Sequence, residues 1–570
     1  MKNITKVLLL LLTLCQLMGC LTACQNGETK QQPEVVAFDL TREQLSAYTI
    51  VVPTKSNENM NTVATTLQQL IEKAIGVKLE IKTDYVAANS AAHTESEYEI
   101  LIGTANRKEV REYYTDVKEN DSGYALVGKK LLIVGYTQSA ANSSVFQFKM
   151  NILEKAKTSD VLMTADDNKM FPASYRYGTI LLNGVSINQY QIVYPKESKM
   201  GENEIAASLR DWIKYQTGYY INCESDDTDA TAYEIQIGDT SRVSADMRAA
   251  KTADDEAYIG VGSNLVWLSG GNKSELYTAF NKFARMASES DKNLLIDIGA
   301  SASYVVNGMK LSVMNYNVYY DLSDSKRDPD GVIVSINQKN PDVFGLNEAG
   351  KNWINKVNQA LGASYACVSG EPTDGASDAS YNPIFYKKDQ FELVESGTKW
   401  LSDTPDVQSR YPDAKHYKIM TYVILKDKAK GVEFMYINIH LDGSNDSDAQ
   451  AALQDVRKKQ ALVIKDFVAK YPFLPVIVAG DFNEKPTSGA LTSMTAGSRL
   501  TYGAGIAASA TVTGTSIGGD YVTLYNNTID SIFVTDDCVT VQKYETWDNK
   551  INGKYPSDHL PVCAEITICY

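Results

Sequence analysis

Residues 475–483 read PVIVAGDFN, an apolar run that ends abruptly in Gly480, Asp481, a Phe and Asn483. Four apolar residues after a proline, closed by glycine, spell a buried strand whose end delivers a carboxylate and an amide to one place. An Asx-turn after a strand would account for the same pair. Five further stretches shift the balance, because they bring the same residue types to strand ends: NYN at 315–317, LNE at 346–348, IHLD at 439–442, TID at 528–530 and SDH at 557–559. Carboxylates, amides and imidazoles gathered at successive strand ends are the equipment of metal-assisted hydrolysis.

These ends sit in seven blocks that follow one another through residues 309–570: LSVMNYNV, PDVFGLNE, YNPIFYKKDQFELVESGTKWLSDTPD, FMYINIHLDG, PVIVAGDFN, IDSIFV and YPSDHLPV. Their content and order resemble the endonuclease/exonuclease/phosphatase superfamily, and within it bacterial metal-dependent hydrolases. That resemblance implies a two-sheet α/β sandwich with its site at the strand ends, and hydrolysis of phosphate esters. By resemblance, Glu348 is the metal-binding glutamate, Asn317 the asparagine near metal and phosphate, and Asp558 a carboxylate beside the metal. His559 is then the catalytic histidine, held by Asp530, and either His559 or Asp481 is the base that activates water. Asn483 and His440 are expected to hydrogen-bond the phosphate, whereas Asn315 is read as structural. Mg²⁺ is the expected ion, with Mn²⁺ as the alternative, because carboxylate and amide oxygens are hard ligands. His93 and His416 belong to no motif and are read as surface residues. Asn347, Ile439 and Ser531 stand where the superfamily often has Gln, Thr and an aromatic residue, and as neighbours of the reacting groups they bear on packing and substrate.

The elements that carry these residues occupy less than half of the 570-residue chain, a length that predicts roughly three or four domains. A net charge of −15 argues against a surface built to coat nucleic acid. It leaves a nuclease open, since metal ions can set the charge of a cleft. Lys2 and Lys6 precede an apolar run at 7–15, shorter than the ~20 residues that span a bilayer. The run leads to Leu21-Thr22-Ala23-Cys24, which resembles the bacterial lipoprotein signal box. Residues 1–24 are thus read as a signal peptide with Cys24 as the lipidation site, and 25–37 as a flexible tether. A second match ends at Cys20, and a plain secretory cut near Ala23 is the alternative. The expected location is extracytoplasmic, anchored by lipid to the cell membrane. Cys223, Cys367, Cys538, Cys563 and Cys569 are sparse and contain no CxxC, so they predict neither a disulfide framework nor a zinc site and leave room only for a bridge or two near the C-terminus.

Residues 38–305 contain an internal repeat. YTIVVP at 48–53 returns as YQIVYP at 190–195, YEILIGTANR at 98–107 as YEIQIGDTSR at 233–242, and GKKLLIVG at 128–135 as GSNLVWLSG at 262–270. Between the first two blocks Val63, Leu67, Leu70, Ile71 and Gly76 become Ile205, Leu209, Trp212, Ile213 and Gly218, one apolar helix face closed by a glycine cap. Two tandem small α/β domains follow, at 38–178 and 179–305, each ending in a helix near 142–156 or 273–287. They resemble the non-catalytic α/β domain that precedes the barrel of hexosaminidases and α-glucuronidases, and are read as spacers or binding modules with carbohydrate as the ligand.

Three function classes compete: a metal-dependent phosphoesterase, a surface binding lipoprotein with an inactive or unusual hydrolase domain, and a carbohydrate-processing enzyme. The third lacks the paired carboxylates of a glycosidase, and the complete set of site residues opposes the second. The substrate is expected to be a phosphorylated small molecule, a phospholipid head group or a short nucleic acid. Gly514-Thr515-Ser516-Ile517-Gly518 fits the serine-hydrolase elbow formally, but no strand pattern precedes it, and 501–520 reads as a long loop near the site. Oligomeric state is not legible.

Overall fold

The glycines that close the repeated helices do what their spacing predicts. In the computed structural model, which describes residues 38–54, 59–86, 94–251, 256–320, 322, 328–373, 380–444 and 446–570, helices Met60–Ile75 and Glu202–Thr217 end at Gly76 and Gly218 with φ of 79° and 77°. The left-handed region is cheap for glycine and lets its N–H satisfy a last-turn carbonyl. The signal segment, Cys24, the tether and His93 lie outside the described residues. Among the described residues no helix is long and apolar enough to cross a membrane.

The chain divides into two compact units, one formed by residues up to 111 with 121–171, the other by 112–120 with 172–570. The first holds a six-stranded sheet in the order Glu80–Thr83, Thr49–Val52, Glu99–Ile102, Lys130–Val134, Ser122–Val127, Lys169–Phe171. Its first four strands are parallel and its last two join antiparallel. The second unit contains a sheet of the same order and senses, from Cys223–Ser225 through Tyr190–Tyr194, Tyr233–Ile237, Leu265–Ser269 and Ala257–Val261 to Ala302–Tyr304. The last helices are Gln138–Asn151 and Lys273–Arg285. The first of these starts four residues before the predicted 142, because Thr137 caps it through Ala140 N at 3.1 Å, and it gives way to a 3₁₀ turn at Leu153–Lys157.

Residues 308–570 form the two-sheet α/β sandwich. One sheet runs Tyr365–Val368, Ile384–Lys387, Val343–Asn347, Gly308–Asn317, Val562–Cys569, Val539–Thr546, Ser509–Thr511; the other runs Phe391–Trp400, Ile419–Asp427, Glu433–His440, Val476–Asp481, Asp530–Thr535, Leu500–Tyr502. Helices Pro329–Lys339 and Lys351–Leu361 cover the outside of the first sheet, and Gln454–Ala469 and Gly489–Thr495 that of the second. One apolar core runs from the second repeat into the space between the sheets, from Ile192, Leu209 and Phe280 to Val313, Tyr436, Ile477 and Ile566. Phe473 packs against Trp212 and Phe280 at centroid distances of 4.8 and 4.7 Å, and the buried Arg499, paired with Asp537, lies 4.9 Å over the ring of Tyr277. Segment 501–520 is no plain loop: it includes strands Leu500–Tyr502 and Ser509–Thr511 and the short helix Gly503–Ile506. The five described cysteines are all free, so no bridge forms near the C-terminus.

At the end of the sandwich that bears the motifs, the two sheets are tied by buried amides. Asn438 accepts from Asn315 at 3.0 Å and Asn347 at 2.9 Å, and donates to the Leu346 and Pro383 carbonyls at 2.9 and 3.0 Å. Asn347 also donates to Ile439 O at 2.8 Å and accepts from Asp481 N at 3.1 Å. Asn315, Asn347 and Asn438 are each fully buried. Gly345 makes room for them: a Cβ there would stand 2.6 Å from Asn438 Cγ. Asn438→Ala should destabilise the protein by about 3 kcal/mol or more, since it strands several buried donors and acceptors at ~1–3 kcal/mol each. Chemical denaturation of the variant checks this; a loss under ~1 kcal/mol would mean that the network does not hold the sheets.

Candidate active site

Strand direction explains why residues scattered from 317 to 559 meet. Asn317, His440 and Asp481 are the last residues of their strands, and Glu348 follows Asn347, the last of its own. Asp530 opens a strand antiparallel to Val476–Asp481, and His559 lies just before Val562–Cys569, antiparallel to Gly308–Asn317. Register aligns them, with His440 opposite Asp481, Asp481 opposite Asp530, and Asn317 opposite Asn347. Glu348 and Asn483 take φ of 59° and 50°. For a glutamate this is an uncommon, costly conformation of the kind found where a site fixes a side chain.

The Asn317 amide nitrogen donates to both Glu348 Oε1, at 3.1 Å, and Asp481 Oδ2, at 3.0 Å. Asp481 Oδ1 accepts Asn483 N at 2.8 Å. The same Oδ2 lies 3.7 Å from His440 Nε2 and 3.9 Å from His559 Nε2. His559 donates Nδ1–H to Asp530 Oδ2 at 2.8 Å, which turns Nε2 toward Asp481. Asn483 Nδ2 reaches His440 Nε2 at 3.2 Å and Leu441 O at 3.1 Å. The seven predicted residues Asn317, Glu348, His440, Asp481, Asn483, Asp530 and His559 therefore form one connected group. Asp558 is beside it on the cleft wall, accepting from Ser557 Oγ at 3.3 Å.

Burial and charge drive the titrations apart. Burial raises the Glu348 pKa, with the charges of Asp558 and Asp481 adding to it. Asp481 is pushed up to about 6 by burial and then by Asp530. His440 is driven well below the histidine range by burial, then by the positive charges of Lys418, His559 and His416, so its neutral Nε2 accepts the Asn483 amide. For His559 burial works the other way from its neighbours, and the charges of Asp530, Asp481 and Asp558 prevail and push it well above that range.

Two trios among the described residues have donor atoms close enough to hold one metal ion: Glu348 with His440 and Asp481, and Asp481 with Asp530 and His559. Of the expected set of Glu348, Asn317 and Asp558, Glu348 belongs to the first trio. Asn317 faces the carboxylates with its nitrogen while its oxygen accepts Tyr319 N at 3.1 Å, and the turn carrying Asp558 is fixed by Ser557 donating to Asn317 O at 2.8 Å. A cation fits here on charge grounds. Glu348 and Asp481 share one amide nitrogen in a buried place, and among the described residues neither they nor Asp530 pair with a Lys or Arg.

The group opens into a cleft of about 1140 Å³, lined mostly by polar side chains and by Tyr319, Tyr320, Tyr417 and Tyr525. The former loop braces it, since Leu560 N donates to Thr515 O at 2.7 Å and Ile517 N to Asp558 O at 2.6 Å, while Thr515 Oγ1 accepts Asp530 N at 3.2 Å. Ser516 pairs with His559 through an isolated backbone bridge, with no strand-turn-helix around it, so the elbow pattern is a coincidence. Sequence reasoning missed Lys418, Arg457 and the pair His416–Asp442, all on this cleft or behind it. Asp442 was readable, two residues after His440 in IHLDG; His416, read as a surface residue, lines the cleft and had no motif to betray it.

Residues 314–559 match the model of the Endonuclease/Exonuclease/phosphatase family. A search of curated proteins finds no match. Similar solved structures include a family protein from Bacteroides thetaiotaomicron, 26% identical over 46% of this chain and 99% of that one, with a TM-score of 0.41. A mannosyl-6-phosphatase from Bacteroides thetaiotaomicron is 27% identical over 45% and 99% of the two chains, TM-score 0.40. A family protein from Bacteroides vulgatus is 28% identical over 46% and 99%, TM-score 0.40. The domain that holds the cleft is a member of the endonuclease/exonuclease/phosphatase family.

Proposed function

We propose that this protein is a Mg²⁺-dependent hydrolase of phosphate esters that acts outside the cytoplasm on a small phosphorylated molecule and is held to the membrane through a lipid on Cys24. The observation that carries the reading is the line Asp530–His559–Asp481 running into a pair of buried carboxylates, Glu348 and Asp481, bridged by one amide. Members of the family hydrolyse phosphoester bonds and depend on a metal. Glu348 and Asp481 would hold the ion with hard oxygens, which suits Mg²⁺, and His440 borders the same place. Bound there, the ion supplies positive charge against the phosphate oxygens.

The chain's own residues divide the remaining work. Asp481 or His559 takes the proton of the attacking water, and Asp530 holds His559 through Nδ1 with Nε2 toward Asp481. The His559 Nε2–H then donates to charge building on the phosphoryl oxygens. Asn483 and the neutral His440 offer further hydrogen bonds at the cleft floor. A general base contributes about 10²–10⁴-fold, far short of what slow phosphate-ester hydrolysis needs, so charge stabilisation must supply the larger share. The acidic chain and the cleft's size favour a small substrate over duplex DNA.

A chromogenic phosphomonoester, a phosphodiester and plasmid DNA, each with Mg²⁺, Mn²⁺ or EDTA, sort the substrate class. Glu348→Ala and His559→Ala are each expected to lower kcat at least ~10²-fold in folded protein. Near-native turnover by either variant sinks the reading.

Glu348 also makes a stability prediction without any turnover. Its pKa is higher in the folded than in the unfolded chain, so its ionisation weakens the folded state as pH rises through the folded value, and costs nothing below the unfolded one. Glu348→Gln keeps the acceptor for Asn317 and removes the charge. In EDTA it should melt above the wild type at pH 8, with the gap closing toward pH 4; equal melting at both pH values would show that the site carries no such charge crowding.

A further inference from the structure

One Asp–His pair in the cleft takes no part in that chemistry. His416 donates Nδ1–H to Asp442 Oδ1 at 2.8 Å, and the other oxygen of Asp442 accepts the backbone N–H groups of Lys415 and His416 at 2.6 and 3.1 Å. The arrangement repeats that of Asp530 on His559, again at 2.8 Å on Nδ1 and again from a carboxylate with no exposure. In each pair the buried carboxylate takes the Nδ1–H and turns Nε2 outward. For His416, outward is the cleft shared with His440, Asp481 and His559, and its side chain is 51% exposed. The backbone bonds alone would cap the turn at 415–416, so the imidazole contact is an addition that a mere turn does not need. Lys415 stands beside it with Nζ 3.1 Å from Ser444 Oγ, and Lys418 and Lys485 line the same cleft. A chain of net charge −15 thus gathers an oriented imidazole and several ammonium groups in the cleft that also holds the catalytic carboxylates.

We propose that His416, Lys415 and Lys418 form a subsite for a second phosphoryl group, carried by the part of the substrate that leaves, so that the preferred substrates are bisphosphorylated small molecules. The ammonium groups of Lys415 and Lys418, joined by His416 when its Nε2 also carries a proton, match the three oxygens of a phosphoryl group better than the two of a carboxylate. The proposal rests on the phosphoesterase reading and narrows its substrate.

The test compares glucose 1,6-bisphosphate with glucose 6-phosphate under Mg²⁺. The wild type should show a kcat/KM at least ~10-fold higher for the bisphosphate, and His416→Ala should lower that ratio at least ~10-fold through KM rather than kcat, as loss of one charge-assisted hydrogen bond predicts. His416→Gln, which keeps an N–H donor, should lose less. A wild type that does not distinguish the two sugars, or a ratio unchanged in His416→Ala, overturns the subsite while leaving the phosphoesterase standing. If His416→Ala is misfolded, Lys415→Met preserves the backbone clamp on Asp442 and must lower the ratio in its place. Calorimetric binding of inorganic pyrophosphate needs no turnover: it should weaken at least ~10-fold in His416→Ala, and equal binding overturns the subsite even if neither sugar is hydrolysed.

Discussion

The sandwich depends on a polar contact in the place where two β-sheets would ordinarily be closed by aliphatic side chains. Asn315, Asn347 and Asn438 meet buried between the sheets, each with its amide nitrogen donating to another of them or to a strand carbonyl. An apolar layer would tolerate sliding, because hydrophobic contact is non-directional. A hydrogen-bonded amide layer is directional, and loses its bonds in any geometry but one. Through Asn347 Oδ1 the layer also holds the backbone N–H of Asp481, so the same contact that sets the spacing of the sheets sets the height of the reactive carboxylate. Gly345 belongs to this device, because any side chain there would meet the Asn438 amide.

On that platform the site separates two histidines that composition treats alike. Both are almost buried, and burial by itself would keep each neutral. His559 looks onto Asp530 and Asp481, and carboxylate charge overrides desolvation; His440 looks toward Lys418 and the other imidazoles, and positive charge adds to desolvation. The outcome is one donor cation and one neutral ring within reach of the same oxygen of Asp481. Glu348 and Asp481 Oδ2 share the Asn317 amide nitrogen, and among the described residues only Asp481 has a second donor, the Asn483 N–H, so the two buried carboxylates crowd negative charge at one place.

Much of this was legible in the chain because strand ends are local events. An apolar run closed by Asp, Asn, Glu or His declares both the strand and the residue at its tip, and the Asn317, Glu348 and Asp481 positions follow from that, whereas His559, which precedes its strand, was found through the resemblance of YPSDHLPV to the superfamily. The glycine caps at Gly76 and Gly218 were readable for the same reason, as one residue with one backbone requirement. What failed was non-local. Asn347 looked like a substituted neighbour and is a cross-sheet bridge. The orientation of the Asn317 amide is set by Tyr319 N, which takes its oxygen from outside the motif. His416 gains its meaning only from Asp442, 26 residues away in the chain, and no pattern of apolar residues encodes that meeting.

The second repeat shows the same limit at a larger scale. Its helix pattern is that of the first repeat, and from sequence both read alike, as spacers or binding modules. Yet helix Lys273–Arg285 presents Tyr277 and Phe280 to Phe473 and Arg499 of the sandwich, Lys273 reaches Asp536 at 2.8 Å, and one apolar core runs through both. A flexible spacer would keep a polar face toward its neighbour and few contacts across the join. Trp212, where the first repeat has Leu70, is the residue that changes the outcome, because its larger ring reaches Phe473 edge-on at 4.8 Å. Aromatic residues on one face thus join this copy to the sandwich through one continuous apolar core.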